Sequence, residues 1–287
     1  MFRGFSRAQC AAIAITAGAL AAAGCSSASH SSGGTAAKPS GGGSSLTATQ
    51  AIQLAAQHAQ KVTSYAATVS VRAAGTVNLS LAGTVKQRTE PSPLVVADFG
   101  NVATQGQQVA GGLQELINSD ALYIKLAQLA RETGKPWIKI PASQISKEGG
   151  AGFGQLLQQD NNTNPLIKTQ MLASSHNVRK VGTATVDGVA TTEYTGTYPL
   201  SAGLAKLPAD LRAKVEPQIQ SMGLKDENFT IWLDGQQQVR KVTVSDHGSK
   251  VQFTSTMQVT ALNEPVSASL PPASQTATVT GGALGNS

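Results

Sequence analysis

Cysteine is nearly absent from this chain: Cys10 and Cys25 are its two. No disulfide framework can hold the fold, and stability must come from packing. Aromatic side chains make up 4% of the residues and charged ones 13%. The lysines and arginines form no block and have no interleaved aromatic platform, which argues against a nucleic-acid partner. The four histidines, His30, His58, His176 and His247, show no metal-ligand spacing. No Gly-x-Ser-x-Gly turn is present to expose a nucleophile. Gly149, Gly150, Gly152 and Gly154 cluster, yet the cluster follows no strand and lacks the Lys-Ser/Thr pair of a phosphate loop. Asp187 and Asp234 are accounted for by turns, and Glu193 by the solvated face of a strand. No catalytic residue, metal or cofactor is expected, and an enzyme is disfavoured.

The N-terminus is where the chain is distinctive. Arg3 and Arg7 precede an apolar run over residues 11–23, the length of a signal-peptide core and too short to span a bilayer. The small residues Ala22, Ala23 and Gly24 then lead into Cys25. This arrangement resembles a bacterial lipobox, with Ala22 standing where that pattern most often has Leu. The resemblance implies that residues 1–24 are a lipoprotein signal peptide and that the Cys25 thiol carries a diacylglycerol at the new N-terminus. Residues 26–45 are nearly all Ser, Gly, Ala and Thr, a flexible tether spanning about 25 Å root-mean-square for some twenty residues. Each buried methylene is worth about 0.8 kcal/mol, so two or three acyl chains hold the protein lastingly at the membrane. The expected location is the extracytoplasmic face of the cell membrane. Without Arg3 and Arg7 the mature chain has 20 basic against 16 acidic side chains, an excess that serves solubility.

Residues 46–271 have the size of one large domain, and no fixed-period repeat runs through them. "LTATQAIQLAAQHAQKVTSY" opens with a cap at Thr47 or Thr49 and gathers Ile52, Leu54, Ala55, Ala59 and Val62 near one helical face. From Tyr65 the period changes to two. Ala67, Val69, Val71 and Ala73 alternate with polar residues, and Val77, Leu79, Leu81 and Val85 repeat the pattern, as an antiparallel pair would. Segments 94–99, 109–117, 122–126 and 137–140 continue it. "VGTATVDGVATTEYTGTYPL" and "FTIWLDGQQQVRKVTV" set Asp187-Gly188 and Asp234-Gly235 between strands, where tight primed turns are expected. Between these hairpins Leu211, Val215, Ile219 and Met222 form a helical stripe despite Pro217. A second helical region is expected after the cap Asn164 and Pro165. "KVQFTSTMQVTAL" alternates over eleven positions, a strand of about 37 Å, so the sheet should be long and curved. Residues 272–287 carry few bulky side chains and are expected to be disordered.

The lipobox, the polar tether, the first helix ending in "TSY", "DALYIK", "KPWIKIP", "DGVATTEYTGTY" and "FTIWLDGQQQVRKVTV" together resemble, in the same order, the LppX/LprA/LprF/LprG lipoproteins of actinobacteria. That resemblance implies an α+β fold: a half-barrel of long curved antiparallel strands wrapped around a few helices, similar to the LolA and LolB carriers. It also implies an apolar cavity for lipid or lipoglycan, and hence a carrier across the cell envelope, with a membrane transporter as a further partner. The residues expected to line such a cavity are Val69, Val71, Leu79, Leu81, Ile138, Ile140, Ile231, Leu233, Phe253 and Met257 on the sheet and Leu211, Val215 and Ile219 on the helix. Residues 149–154 and 211–222 would form a movable flap. The same apolar residues fit a solid core, in which case the chain would be a docking or sensory partner of a membrane protein without lipid cargo.

Overall fold

The computed structural model describes residues 46–76, 78–144, 172, 175, 177–205, 209–221 and 223–279. Helix α1 (Ala48–Ala59) starts where the sequence places it. The Thr47 hydroxyl accepts from the Gln50 amide and the Gln50 side chain accepts from the Thr47 amide, a reciprocal cap that satisfies two orphan donors. One face of α1, with Ala51, Ile52, Ala55 and Ala59, is buried.

Thirteen strands follow among the described residues. They are β1 (Ser64–Gly75), β2 (Leu79–Arg88), β3 (Leu94–Thr104), the two-residue β4 (Gln107–Gln108), β5 (Leu113–Asn118), β6 (Ala121–Leu126), β7 (Trp137–Pro141), β8 (Arg179–Val186), β9 (Val189–Pro199), β10 (Asp226–Asp234), β11 (Val239–His247), β12 (Val251–Leu262) and β13 (Thr276–Thr278). Short helices interrupt them: α2 (Ala127–Thr133), α3 (Leu200–Leu204) and α4 (Ala209–Ser221), the last containing Pro217. All strands join one sheet in the order β13-β7-β6-β5-β3-β2-β1-β12-β11-β10-β9-β8, with β4 on β3. Two meanders thus run outward from a central pair, β1 and β12, whose register sets Val69 beside Met257 and Ala73 beside Phe253. The long curved antiparallel sheet with few helices is the expected α+β architecture.

Alternation sorts the strands into two faces. The inner face carries one core in which Tyr65, Val69, Leu81, Val85, Phe99, Ile124, Ile138, Phe229, Ile231 and Val259 pack with α1. The outer face is largely Thr, Ser and Gln, with a small second cluster of Leu94, Leu116, Ala121, Tyr123 and Val266. Gly196 on β9 faces Phe229 on β10, and a Cβ there would stand 2.6 Å from the Phe229 ring. Glycine is what lets that ring lie flat on the inner face.

Four sequence expectations need correction. Asp187-Gly188 forms the tight turn, with φ of 51° and 76°, but Asp234-Gly235 does not. There the positive φ falls on Gln237, and the Asp234 carboxylate accepts from the amides of Gln236 and Gln238 while pairing with Arg240. The carboxylate builds a longer turn than the backbone alone would choose. The helical stretch expected between the hairpins begins earlier than the stripe at Leu211, with α3 ahead of α4. The sequence also conceals α2, because apolar Leu122–Leu126 merges into it; Gly134 ends that helix with φ 67°. Finally, order continues past 271. Residues 263–272 cross the outer face, held by Arg88 donating to Val266 O and Ser64 donating to Glu264 O. They deliver β13 to the edge of β7 in parallel register. Backbone pairing and the Lys135 bond to Ser274 O supply the order that bulky side chains do not.

Candidate functional site

The strands place their upper ends where β1 reaches Gly75 and β12 begins at Val251, and their lower ends where Tyr65 meets Leu262. Between these ends the inner face holds a small apolar hollow. Tyr65 and Val69 of β1, Val85 of β2, Val242 and Val244 of β11, and Ser255 and Met257 of β12 line it. Register explains the grouping, since Val69, Met257 and Val242 stand side by side, as do Val71, Ser255 and Val244. The Tyr65 hydroxyl donates to Gln87 Oε1 at 2.9 Å, so its polar tip is occupied and its ring serves as wall.

The hollow measures about 50 Å³. That admits a few water-sized bodies, against about 300–1,000 Å³ for a ligand cleft. The hollow among the described residues is thus smaller than the cavity that the family resemblance implies, and most inner-face side chains around it are buried. Toward the upper end the packing loosens. Val71, Ala73 and Phe253 are only half-buried, although all three point to the inner face, while Leu79 and Val251 beside them are buried. Along β1 an apolar row of Val69, Val71 and Ala73 runs from the buried hollow to the rim, where Ala73 meets Phe253.

Of the residues singled out from sequence, Val69, Leu79, Leu81, Ile138, Ile140, Ile231, Leu233 and Met257 are buried in the one inner core, and Val71 packs on it. Val69 and Met257 reach the hollow itself. Phe253 stands at the rim and Ile219 is half-buried on α4. Cys25, the flap residues 149–154 and the side chains of Leu211 and Val215 lie outside the described residues. Glu193 sits beside Trp232 on the outer face, as its alternation requires.

Sequence reasoning missed the polar end of the rim. Tyr198, Glu227 and Asp246 occupy inward positions on adjacent strands β9, β10 and β11, and are 4%, 6% and 5% exposed. The Tyr198 hydroxyl donates to the Glu227 carboxylate. Burial, then the two carboxylates and this hydrogen bond, hold the Tyr198 phenol well above the usual tyrosine range. Asp246 also stands beside Phe253, so the upper inner row reads Leu79, Ala73, Phe253, Asp246 from apolar to acidic. The sign was in the sequence: Glu227 shares the parity of Phe229 and Ile231, and Asp246 that of Val242 and Val244. Among the described residues no group of three His, Cys, Asp or Glu side chains is placed to hold a metal.

No protein-family model matches the chain. An uncharacterized 31.2 kDa protein of Streptomyces griseus, from the rplA-rplJ intergenic region, is 29% identical over 171 residues. The match covers 58% of this chain and 56% of that protein, so the chain spans about half the length of the curated relative it matches. Two solved structures are similar in fold. One is lipoprotein LppX of Mycobacterium tuberculosis, 19% identical with a TM-score of 0.45 over 77% of this chain and 97% of that one. The other is LprF from Mycobacterium bovis, 14% identical with a TM-score of 0.49 over 78% of this chain and 96% of that one. At these identities the likeness is one of fold alone.

Proposed function

We propose that the chain is an envelope lipoprotein that binds the acyl part of a lipid or lipoglycan against the inner face of its sheet and shields it in transit. The observation that carries this reading is the apolar row from the hollow at Val69, Val242 and Met257 to partly exposed Val71, Ala73 and Phe253. A sheet that needed only a core would bury those three residues as it buries their neighbours Leu79 and Val251. An acyl chain of some sixteen methylenes costs about 13 kcal/mol to hold in water, at about 0.8 kcal/mol each. Without such a guest, close packing draws the wall together, because an empty apolar void forfeits contacts on every side. The small hollow is the closed form of the site, and the guest would enter from the upper rim and part the aliphatic wall. Cys25, acylated, would anchor the domain at the extracytoplasmic face through residues 26–45. The reading assigns the chain no chemical step and no cofactor.

The second reading is a docking or sensory lipoprotein with a filled interior, and the 50 Å³ volume favours it. Mass spectrometry of organic extracts from protein purified in its native host separates the two. Stoichiometric lipid is the expected result. Protein that is lipid-free and takes up no fluorescent fatty acid would leave the docking reading standing.

A further inference from the structure

The outer face carries a second cavity with different chemistry, of about 360 Å³. It lies at the upper ends of β9, β10 and β11, where the chain returns from α4. Thr197, Asn228 and His247 project into it from three adjacent strands, and Leu224, Lys225 and Asp226 form its rim. The wall is fixed. Gly223 ends α4 with φ 72°, and a Cβ there would stand 2.2 Å from Ser249 Oγ, so the segment sits tightly on the β11–β12 turn. Thr197 is pinned from the other side, its amide donating to Asn177 Oδ1 at 2.8 Å.

We propose that this cavity binds a neutral polyhydroxylated ring, a sugar or cyclitol. It offers the Thr197 hydroxyl, which accepts from Asn177 Nδ2 and keeps its own proton to donate, the Asn228 carboxamide, whose Nδ2 also reaches Ser245 O at 3.5 Å, an imidazole, a carboxylate and an ammonium. A hydroxylated ligand both donates and accepts, which suits such a mixed set. The volume falls in the range of small-molecule clefts. The Lys225 and Asp226 charges offset each other. The C-terminal end of α4, whose carbonyls carry partial negative charge, further disfavours an anion. Lys225, Asp226 and His247 form no ion pair with one another, although Asp226 and His247 end neighbouring strands on the same face. Their polar atoms stay available to a ligand. Leu224 supplies the one aliphatic side chain, suited to the carbon-bound hydrogens of a ring. This inference does not depend on lipid binding at the inner face.

Titration of the mature chain followed by two-dimensional NMR tests it, with D-glucose, D-galactose, myo-inositol and inorganic phosphate as probes. Saturable shifts at Leu224, Asn228 and His247 are expected with at least one of the three polyols. Asn228→Ala and Asp226→Ala, both at exposed positions, should each weaken binding about tenfold while the rest of the spectrum stays unchanged. Saturation by phosphate alone, no saturation by any polyol, or unchanged binding in both variants would overturn the proposal. Octyl β-D-glucoside below its micelle concentration distinguishes two sources of the ligand. Tighter binding than glucose, with added shifts at Val71 and Phe253, identifies a glycolipid head group. Binding equal to that of glucose identifies a free glycan.

Discussion

The Tyr198 hydroxyl donates to the Glu227 carboxylate across β9 and β10, and both side chains are buried on the inner face beside Asp246. That bond fixes two polar side chains at the rim of an otherwise aliphatic wall, with the Asp246 carboxylate buried next to them. Tyr198→Phe leaves the Glu227 carboxylate without that donor and should cost about 1–3 kcal/mol of stability at neutral pH, read from urea denaturation. The wild-type protein should also lose stability as the pH rises above about 10. There the unfolded chain releases the phenolic proton while the folded chain, with its raised Tyr198, retains it. Below about 10 that contribution is fully present. In Tyr198→Phe the alkaline decline should be shallower, with Tyr194, also raised by burial, supplying part of what remains.

Asp234 ties together the turn between β10 and β11. One carboxylate oxygen accepts from two backbone amides at 2.9 Å each and the other meets Arg240 at 2.8 Å. Asp234→Ala should lower stability by about 2–4 kcal/mol, since bonds to a charged, buried acceptor are the strong ones. Asp234→Asn, which keeps the shape and loses the charge, should cost about half as much. Equal midpoints of unfolding for the two variants would show that the charge contributes nothing.

Val266 is the residue by which the C-terminal segment grips the outer face, 7% exposed among Leu94, Leu116 and Tyr123. Val266→Asp should detach that segment, lower stability by about 2–3 kcal/mol and uncover the edge of β7. The measurements are thermal unfolding and light scattering; aggregation should begin at a lower temperature than in the wild type.

Phe253→Ser at the rim should weaken fluorescent fatty-acid binding about tenfold or more while costing only about 1–2 kcal/mol of stability, because the ring is already partly exposed. Unchanged affinity would remove the rim from the entry route.

Cys25→Ala removes the thiol that the proposed acylation requires. Fractionation of the native host should then find the protein released from the membrane pellet, whereas wild type stays with it.

Much of the architecture was legible because it is written locally. The Thr47 cap, the inward parity of Val69, Leu81, Ile231 and Met257, and the Asp187-Gly188 turn all depend on residues close in sequence. What the sequence conceals is what distance decides. Nothing near Val69 announces Met257 as its neighbour, and nothing in the polar stretch after Pro272 announces an edge strand. The site shows the same division. Its aliphatic wall could be read from alternation, but its width could not, because the volume depends on how far the side chains of four strands interlock. The acids of the rim are readable too, but Glu227 and Asp246 look like ordinary polar positions until their parity is compared with Phe229 and Val244.

The pairing at the centre of the sheet also orders events in time. Ser64 and Glu264, which meet beside the β1–β12 ladder, are 200 residues apart in the chain. Closing a loop of that length costs about 5 kcal/mol of entropy before any contact repays it. A chain emerging amino end first would complete one meander and then wait, with β1 a naked edge, until nearly everything else had been delivered. That interval, rather than the finished protein, is when a companion that masks sticky strands would matter most.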